Sequence, residues 1–137
     1  MQRGIKLKMK LFVNKNLKNK IKLGFRISDE QFELCDNEDK KLYIQKQIEK
    51  GNGLSDKQFE WCSNEDKKSY IQKIIENLHN PHNIPVTVFC KGSSLFAPLI
   101  AQTGCQVISL DWNGSLATMR STLPSSIALQ GNLDPYY

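Results

Sequence analysis

Three short polar segments are the parts of this sequence best suited to chemistry, because each directly follows an apolar run. They are Lys91-Gly-Ser-Ser94, Asp111-Trp-Asn113 and Gln130-Gly-Asn-Leu-Asp134. The ammonium group of Lys91 could pair with a carboxylate of a substrate, and the carboxylate of Asp111 could orient a loop. Asn132 and Asp134 could cap a helix that follows, and Trp112 stands beside Asp111. These five residues are the candidate pocket-loop residues of the chain.

The same five side chains also have a purely structural interpretation. Polar groups frequently shape strand-to-helix turns and satisfy the unpaired amides at helix N-termini. The sequence alone leaves both roles open for each residue.

The segments around these residues alternate between strand and helix patterns. Short apolar runs at Val86–Cys90, Val107–Leu110 and Ile127–Leu129 predict three strands. Apolar residues at helical spacing predict helices at Ser94–Gln102 and Leu116–Leu123. The order β-α-β-α-β is typical of an α/β fold with a parallel sheet and right-handed crossovers. Because the strands are almost continuously apolar, we expect a sheet that is buried on both faces.

An internal repeat precedes this region. Ile27–Lys50 and Leu54–Asn77 are related by an offset of 27 residues, and 17 of their 24 aligned positions are identical. Each copy should form two short helices, since Ser28 and Ser55 both stand three residues before a glutamine, the pattern of a capping box. This similarity indicates a tandem duplication, and two copies are too few for a solenoid.

The second helix of each copy is predicted from its start signal and its apolar face. Asn37 and Asn64 are the predicted N-caps. In the second copy an apolar stripe recurs at helical spacing, at Ile71, Ile74, Ile75 and Leu78. The first copy has Gln47 where the second has Ile74, so we expect a poorer apolar face there.

Positive charge is concentrated at the N-terminal end. Residues 1–26 contain nine Lys or Arg and no acidic residue, whereas the net charge of the whole chain is +5. We expect a disordered, solvated basic leader, which could attract nucleic acid or anionic lipid. It lacks the interleaved aromatic residues that stack on bases, which argues against nucleic-acid binding. No apolar run approaches the ~20 residues of a membrane span, and no secretion signal is recognisable, so we expect a cytoplasmic protein.

Neither the cysteines nor the histidines form a metal-binding or redox pattern. The cysteines that lack a C-x-x-C partner are Cys35, Cys62, Cys90 and Cys105. We expect reduced thiols that pack as small apolar groups. His79 and His82 stand three residues apart, but Pro81 breaks any helix that could present both. The sequence therefore predicts no metal site.

Spaced blocks in the second half of the chain resemble the later part of the uroporphyrinogen decarboxylase family. The blocks are Ile84-Pro-Val-Thr-Val-Phe-Cys-Lys-Gly92, Thr103-Gly-Cys105, Ser109-Leu-Asp-Trp112 and Ala128-Leu-Gln-Gly-Asn-Leu-Asp-Pro135. Upstream, a family segment is matched by Leu54-Ser55, Phe59, Tyr70 and Lys73-Ile-Ile75. The resemblance therefore covers Leu54–Tyr137, and the second repeat resembles the family's own helix pair.

This resemblance implies a fold and a reaction. Family members are (β/α)₈ TIM barrels, so the chain would hold a β-α-β-α-β barrel fragment preceded by a duplicated helical hairpin. The family removes four acetate carboxyl groups from uroporphyrinogen III, in haem biosynthesis, giving coproporphyrinogen III. It uses no metal or organic cofactor. By resemblance, Lys91 could pair with a carboxylate of that substrate and Asp111 could anchor a pyrrole nitrogen.

The resemblance also divides the chain and limits its expected activity. We expect a basic leader at residues 1–26, a duplicated helical unit at 27–53 and a partial barrel segment at 54–137. The family's arginine-bearing motif, P-x-W-x-M-R-Q-x-G-R, has no match in residues 1–53, and no known catalytic residue can be transferred. We therefore expect a truncated decarboxylase that is inactive by itself.

Two other functions stay open. The chain could be one part of a split decarboxylase, in which case a complementing chain would complete the barrel and only then would a porphyrinogen bind. The intact family dimerises, so a homodimer is a further option. Alternatively, the chain could be a helical-repeat interaction module with a basic tail.

Overall fold

Helices occupy most of residues 15–76, and strands alternate with short helices after them. The computed structural model of the chain describes residues 15–136. It has two compact units, Met1–Asp66 and Lys67–Tyr137. The first contains α1 (residues 15–22), α2 (Asp29–Glu33), α3 (Asn37–Lys50) and α4 (Asp56–Trp61), and α5 (Asn64–Glu76) crosses the boundary. The second contains β1 (Thr87–Phe89), α6 (Ser93–Ile100), β2 (Val107–Ser109), α7 (Leu116–Thr122) and β3 (Ala128–Gln130).

The predicted disordered leader is wrong for the part of it that is described. Residues 15–22 form helix α1, and residues 1–14 lie outside the described residues. Leu17 and Ile21 are buried in the core of the first unit. Because these two residues stand four apart, they share one face of α1 and leave the lysines exposed. Burial of this face stabilises a helix in a segment whose basic composition suggested disorder.

Phe32 is the centre of the core in the first unit. Its ring is fully buried, with its centroid 5.8 Å from that of Tyr43 and 5.6 Å from that of Trp61. The ammonium group of Lys40 lies 5.2 Å from the centre of the Phe32 ring, where the aromatic face attracts a cation. The core against which α1 packs therefore comes mainly from the first copy of the repeat, with Trp61 and Cys62 from the second copy.

The start signals of the repeat helices are partly confirmed. Ser28 and Ser55 form the predicted capping boxes at α2 and α4. The predicted caps Asn37 and Asn64 are wrong by one residue. The carboxylate of Asp36 accepts from the amide of Asp39 at 2.8 Å, and the Ser63 hydroxyl accepts from the amide of Asp66 at 3.1 Å. An oxygen acceptor thus precedes each asparagine, and the helix begins at the asparagine itself.

The predicted apolar stripe of α5 is only partly buried. Ile71 is buried and Ile75 half-buried, but Ile74 is 45% exposed. Leu78 lies beyond the end of α5 and is also largely exposed. Gln47, the counterpart of Ile74 in the first copy, is fully buried although it is polar.

Gln47 is buried because every polar atom of its amide has a partner. Its Nε2 donates to the carbonyls of Gly24 and Phe25 at 3.3 and 3.4 Å, and its Oε1 accepts from Asn52 Nδ2 at 2.8 Å. A buried amide is tolerated when its hydrogen bonds are satisfied. The first copy thus joins α3 to the turn after α1 through a polar contact.

Replacing Gln47 by leucine should lower the free energy of unfolding by about 2 kcal/mol, because two carbonyls and an amide would lose a buried partner. Gln45→Leu is the matched control on the same helix, since Gln45 is exposed and should change stability by less than about 0.5 kcal/mol. Urea unfolding followed by circular dichroism measures both. Equal losses in the two variants would contradict the structural role of Gln47.

The predicted strands and their parallel order are confirmed in the second unit. The sheet has the order β1-β2-β3, with Val88 beside Ile108 and Ile108 beside Leu129. The expectation that every strand is buried on both faces is wrong: Ile108 in the central strand is fully buried, but Phe89 in β1 is 63% exposed. Within the described part of the chain, β1 and β3 each have one neighbouring strand, which leaves them less covered.

Helix α6 is shorter than predicted and is interrupted. Phe96 has non-helical angles, φ −129° and ψ 22°, and Pro98 follows inside the helix. A proline lacks the amide needed for the helical bond, and its ring collides with the carbonyl four residues earlier. Gly104 follows with φ +94°, a left-handed conformation that glycine adopts readily. Among residues 15–136, no helix is both long and apolar enough to cross a membrane.

Candidate functional site

The loops after the three strands meet at one edge of the sheet. The strands are parallel and in register, with Phe89 beside Ser109 and Ser109 beside Gln130. Their carboxyl ends therefore lie together, as is usual for the functional edge of α/β proteins. Three loops contribute: 90–92 after β1, 110–115 after β2 and 131–136 after β3.

The carboxylate of Asp111 binds the start of α6. One oxygen, Oδ2, accepts from the amide of Gly92 at 3.0 Å and from Asn113 Nδ2 at 3.4 Å. The other, Oδ1, accepts from the amide of Ser94 at 3.4 Å and from the Ser94 hydroxyl at 2.5 Å. A carboxylate has about four lone-pair directions. Its acceptor capacity is therefore used within the protein, and the β2 loop is fixed to the β1 loop.

Ser93 adds a second connection between the same two loops. Its hydroxyl is fully buried, donates to the carbonyl of Ser109 at 3.1 Å and accepts from the amide of Asp111 at 3.2 Å. The end of β2 is thereby held against the first turn of α6. Ser93 and Ser94 were not singled out by the sequence interpretation, although two hydroxyls after a glycine and before an apolar helix are a recognisable signal.

Asn132 connects the β3 loop to the β2 loop. Its Nδ2 donates to the carbonyl of Asp111 at 3.2 Å and to the carbonyl of Gly114. The side chain is thus a donor to carbonyls, whereas a helix cap would accept from an amide. The β3 loop can lie this close to the end of β2 because residue 131 is a glycine. Gly131 has φ +103°, and a Cβ at this position would lie 2.6 Å from the carbonyl oxygen of Leu110.

The other three candidate residues are more exposed. Lys91 is exposed, and the ring of Trp112 is about half exposed. The carboxylate of Asp134 accepts from the amide of Tyr136 at 2.9 Å, which closes a local turn. Residues 131–134 line a shallow, open depression. The five candidates therefore share one edge of the sheet, where Asp111 joins the β2 loop to the β1 loop and Asn132 joins the β3 loop to the β2 loop.

The pKa values of two ionisable side chains at this edge, Asp111 and Cys90, are shifted in opposite directions. Burial alone would raise the pKa of the Asp111 carboxyl, but the hydrogen bonds from Ser94, Gly92 and Asn113 outweigh it and lower that pKa. Burial raises the pKa of the Cys90 thiol to about 11, although the charge of Lys67 opposes the rise. Asp111 is therefore ionised at neutral pH, while Cys90 is a protonated thiol and a poor nucleophile.

The described residues offer no site with the composition of a metal centre. Within 15–136, no group of three or more His, Cys, Asp or Glu side chains could hold an ion, and the four cysteines are free thiols. The side chains of Lys91 and Trp112 are exposed at this edge of the sheet.

Comparisons with known proteins identify the same region. The family model for uroporphyrinogen decarboxylase (URO-D) matches residues 42–137. The uroporphyrinogen decarboxylase of Protochlamydia amoebophila is 49% identical over 53 residues, which are 39% of this chain and 15% of that protein. That of Mannheimia succiniciproducens is 48% identical over 52 residues, 38% and 15% of the two chains. That of Thioalkalivibrio sulfidiphilus is 40% identical over 57 residues, 42% and 16%.

These matches are limited to part of the relatives. The aligned segment spans about 15% of the length of the first two relatives, and no solved structure matches the chain. The family match begins at residue 42, inside the first copy of the repeat, so it extends further upstream than the expected start at Leu54.

Proposed function

This chain belongs to the uroporphyrinogen decarboxylase family, and on that basis we propose that residues 84–136 form part of the substrate-facing edge of a (β/α)₈ barrel that decarboxylates uroporphyrinogen. The observation that carries the proposal is the carboxylate of Asp111, which accepts from the amides of Gly92 and Ser94. It fixes the loops after β1 and β2 at the carboxyl edge of the sheet, where barrel enzymes place their sites.

In this proposal the five candidate residues have different roles. Asp111 and Asn132 are positioning residues, because their polar groups are used in joining the three loops. Lys91 and Trp112 are exposed at the same edge, where an ammonium group suits an acetate or propionate carboxylate and an indole suits the face of a pyrrole. Asp134 holds the turn at residues 134–136.

The 137 residues by themselves are expected to be inactive. The described residues contain three strands, and the outer two leave unpaired edges. A tetrapyrrole with eight carboxylates needs cationic groups on several sides, and this edge has Lys91 as its candidate cation. The remaining strands would come from a complementing chain or from further residues of the same protein, and dimerisation of the completed barrel is part of the proposal.

A graft tests this function. The segment of this chain that aligns with the Protochlamydia amoebophila decarboxylase would replace its counterpart in that relative, and coproporphyrinogen formation from uroporphyrinogen would be measured by fluorescence after oxidation. We expect the graft to be active and the 137-residue chain alone to give no product above the blank. The unmodified relative, purified in parallel, is the positive control.

A second function is favoured by the structure of the first unit. It has a core of its own around Phe32, made of α1, the first repeat copy and the start of the second copy, which contributes Cys62 and Trp61. We include a helical-repeat interaction module with a basic tail as this second proposal. A graft limited to residues 84–136 separates the two, because it omits α1 and the first repeat copy.

A further inference from the structure

A tight turn between α1 and α2 carries two exposed apolar side chains in the most basic part of the chain. Leu23 is 68% exposed and Phe25 is 58% exposed. No acidic residue precedes Asp29, and residues 1–26 contain nine Lys or Arg. Exposed apolar side chains at a turn, with Lys20, Lys22 and Arg26 next to them in the sequence, are typical of a surface that binds the interface of an anionic membrane.

The turn has a defined conformation of its own. Gly24 is left-handed, with φ +77°, and its amide donates to the carbonyl of Ile21 at 3.0 Å. The amide of Phe25 donates to the carbonyl of Lys20, also at 3.0 Å. These two bonds are those of a Schellman motif, which ends a helix with a fixed geometry.

The rest of the first unit holds the turn in place. Gln47 Nε2 donates to the carbonyls of Gly24 and Phe25, and Lys50 Nζ donates to the carbonyls of Leu23 and Gly24 at 3.3 and 3.1 Å. These four hydrogen bonds use only backbone carbonyls of the turn, so they leave the side chains of Leu23 and Phe25 free to contact another surface. A turn ordered in advance loses little conformational entropy when its side chains bind a surface.

The repeat contains an internal comparison for this turn. With the same offset of 27 residues, Gly51 is left-handed with φ +71°, and the amides of Gly51 and Asn52 donate to Ile48 and Gln47 at 3.0 Å. At the positions of Leu23 and Phe25 this second turn has Lys50 and Asn52. The same geometry therefore forms with polar residues, and the fold does not require exposed apolar ones in the first turn.

We propose that the turn at residues 23–25 docks the chain on an anionic lipid bilayer. Leu23 and Phe25 enter the boundary between headgroups and acyl chains, and the exposed Lys20 and Lys22 lie near the lipid phosphates. Charge complementarity favours this occupant: residues 15–26 contain five Lys or Arg and no acid, and of these Lys18 is paired with Asp36 and Asp39. The stretch also lacks the repeated aromatic residues that single-stranded nucleic acid would use. The inference concerns the first unit and does not depend on the decarboxylase proposal.

The test is sedimentation of the full chain with vesicles of phosphatidylcholine containing about a third of phosphatidylserine, an anionic lipid. The informative variant, Leu23→Lys with Phe25→Asn, copies the second turn. It should bind at least about tenfold more weakly although it gains a positive charge, because apolar insertion is lost. Leu34→Lys is the matched control, since Leu34 is a similarly exposed leucine of the same unit and should leave binding unreduced.

Several results would overturn the proposal. Unchanged or tighter binding by the double variant would mean that charge alone attracts the chain to the vesicles. Absence of binding by the wild-type chain would rule out docking on an anionic membrane. If the double variant instead converts a dimer to a monomer without affecting vesicle binding, the patch is a contact between copies. A second variant, Phe25→Trp, keeps an aromatic side chain in the turn and should preserve the fold. Its tryptophan fluorescence should be quenched by brominated lipid more than that of the wild type, and equal quenching would count against insertion.

Discussion

Replacing Asp111 by alanine is expected to lower the free energy of unfolding of the second unit by about 3 kcal/mol. The side chain is buried, and its removal leaves the amides of Gly92 and Ser94 and the Ser94 hydroxyl without their acceptor. Hydrogen bonds to a charged group are worth more than neutral ones, and several are lost together. Urea unfolding followed by tryptophan fluorescence measures the change.

Asp134→Ala is the matched control for this experiment. Asp134 is an exposed aspartate of a neighbouring loop, and its carboxylate accepts a hydrogen bond from the amide of Tyr136. Its loss should cost less than about 1 kcal/mol. If both variants lost the same stability, the network at Asp111 would not be what fixes these loops. Amide exchange at Gly92 and Ser94 provides a local measure if the Asp111 variant is too unstable to titrate.

The lowered pKa of Asp111 gives the same contact a pH dependence. Because the folded carboxyl has a lower pKa than the unfolded one, the unfolded chain binds more protons in acid. The stabilisation is therefore complete above the unfolded pKa of about 3.9 and is lost as the pH falls through the folded pKa. Asp111→Asn should remove this part of the acid sensitivity, so a stability profile as steep as that of the wild type would contradict it.

The second large effect is expected at Phe32, where alanine should cost about 4 kcal/mol. The ring is fully buried against Tyr43 and Trp61, and truncation leaves a cavity that three packed elements cannot fill. Phe59 is the same residue in the second copy of the repeat, but it is only half-buried. Thermal and urea unfolding compare the two variants.

We expect Phe59→Ala to lower the free energy of unfolding by roughly half as much as Phe32→Ala, because the side chain of Phe59 buries less apolar area on folding. The two sites share their sequence neighbours, which makes intrinsic helix propensity an equal term in both. Equal losses, or a larger loss at Phe59, would show that the core of the first unit is not centred on Phe32.

Local signals made much of the fold predictable. The hydroxyls of Ser28 and Ser55 act on amides three residues away, so the capping boxes follow from nearby sequence alone. The strands around Val88, Ile108 and Leu129 were equally recognisable, because short apolar runs bounded by turn residues are typical of buried strands.

Features that depend on distant contacts were not predictable in the same way. Helix α1 was missed because its stability depends on burying Leu17 and Ile21 against a core that forms later in the chain. Gln47 was interpreted as a defect in an apolar face, whereas its amide meets the carbonyls of a turn 22 and 23 residues earlier. The role of a polar residue depends on its partner, and tertiary structure supplies that partner.

The same limit applies to the candidate site. Sequence position placed Lys91, Asp111 and Asn132 after strands, which was sufficient to bring them to one edge of the sheet. It could not distinguish Lys91, which is exposed, from Asp111, whose oxygens bind the start of α6. The Ser93 hydroxyl accepts a hydrogen bond from the backbone amide of Asp111, a contact that no sequence motif describes.

The most direct test of the central proposal is the rate of coproporphyrinogen formation by the grafted Protochlamydia amoebophila decarboxylase. If the graft supplies a functional part of the barrel edge, its rate should lie within about tenfold of the unmodified relative, since one order of magnitude corresponds to about 1.4 kcal/mol of lost transition-state stabilisation. A graft that unfolds cooperatively at the relative's midpoint yet forms no coproporphyrinogen would contradict the proposal.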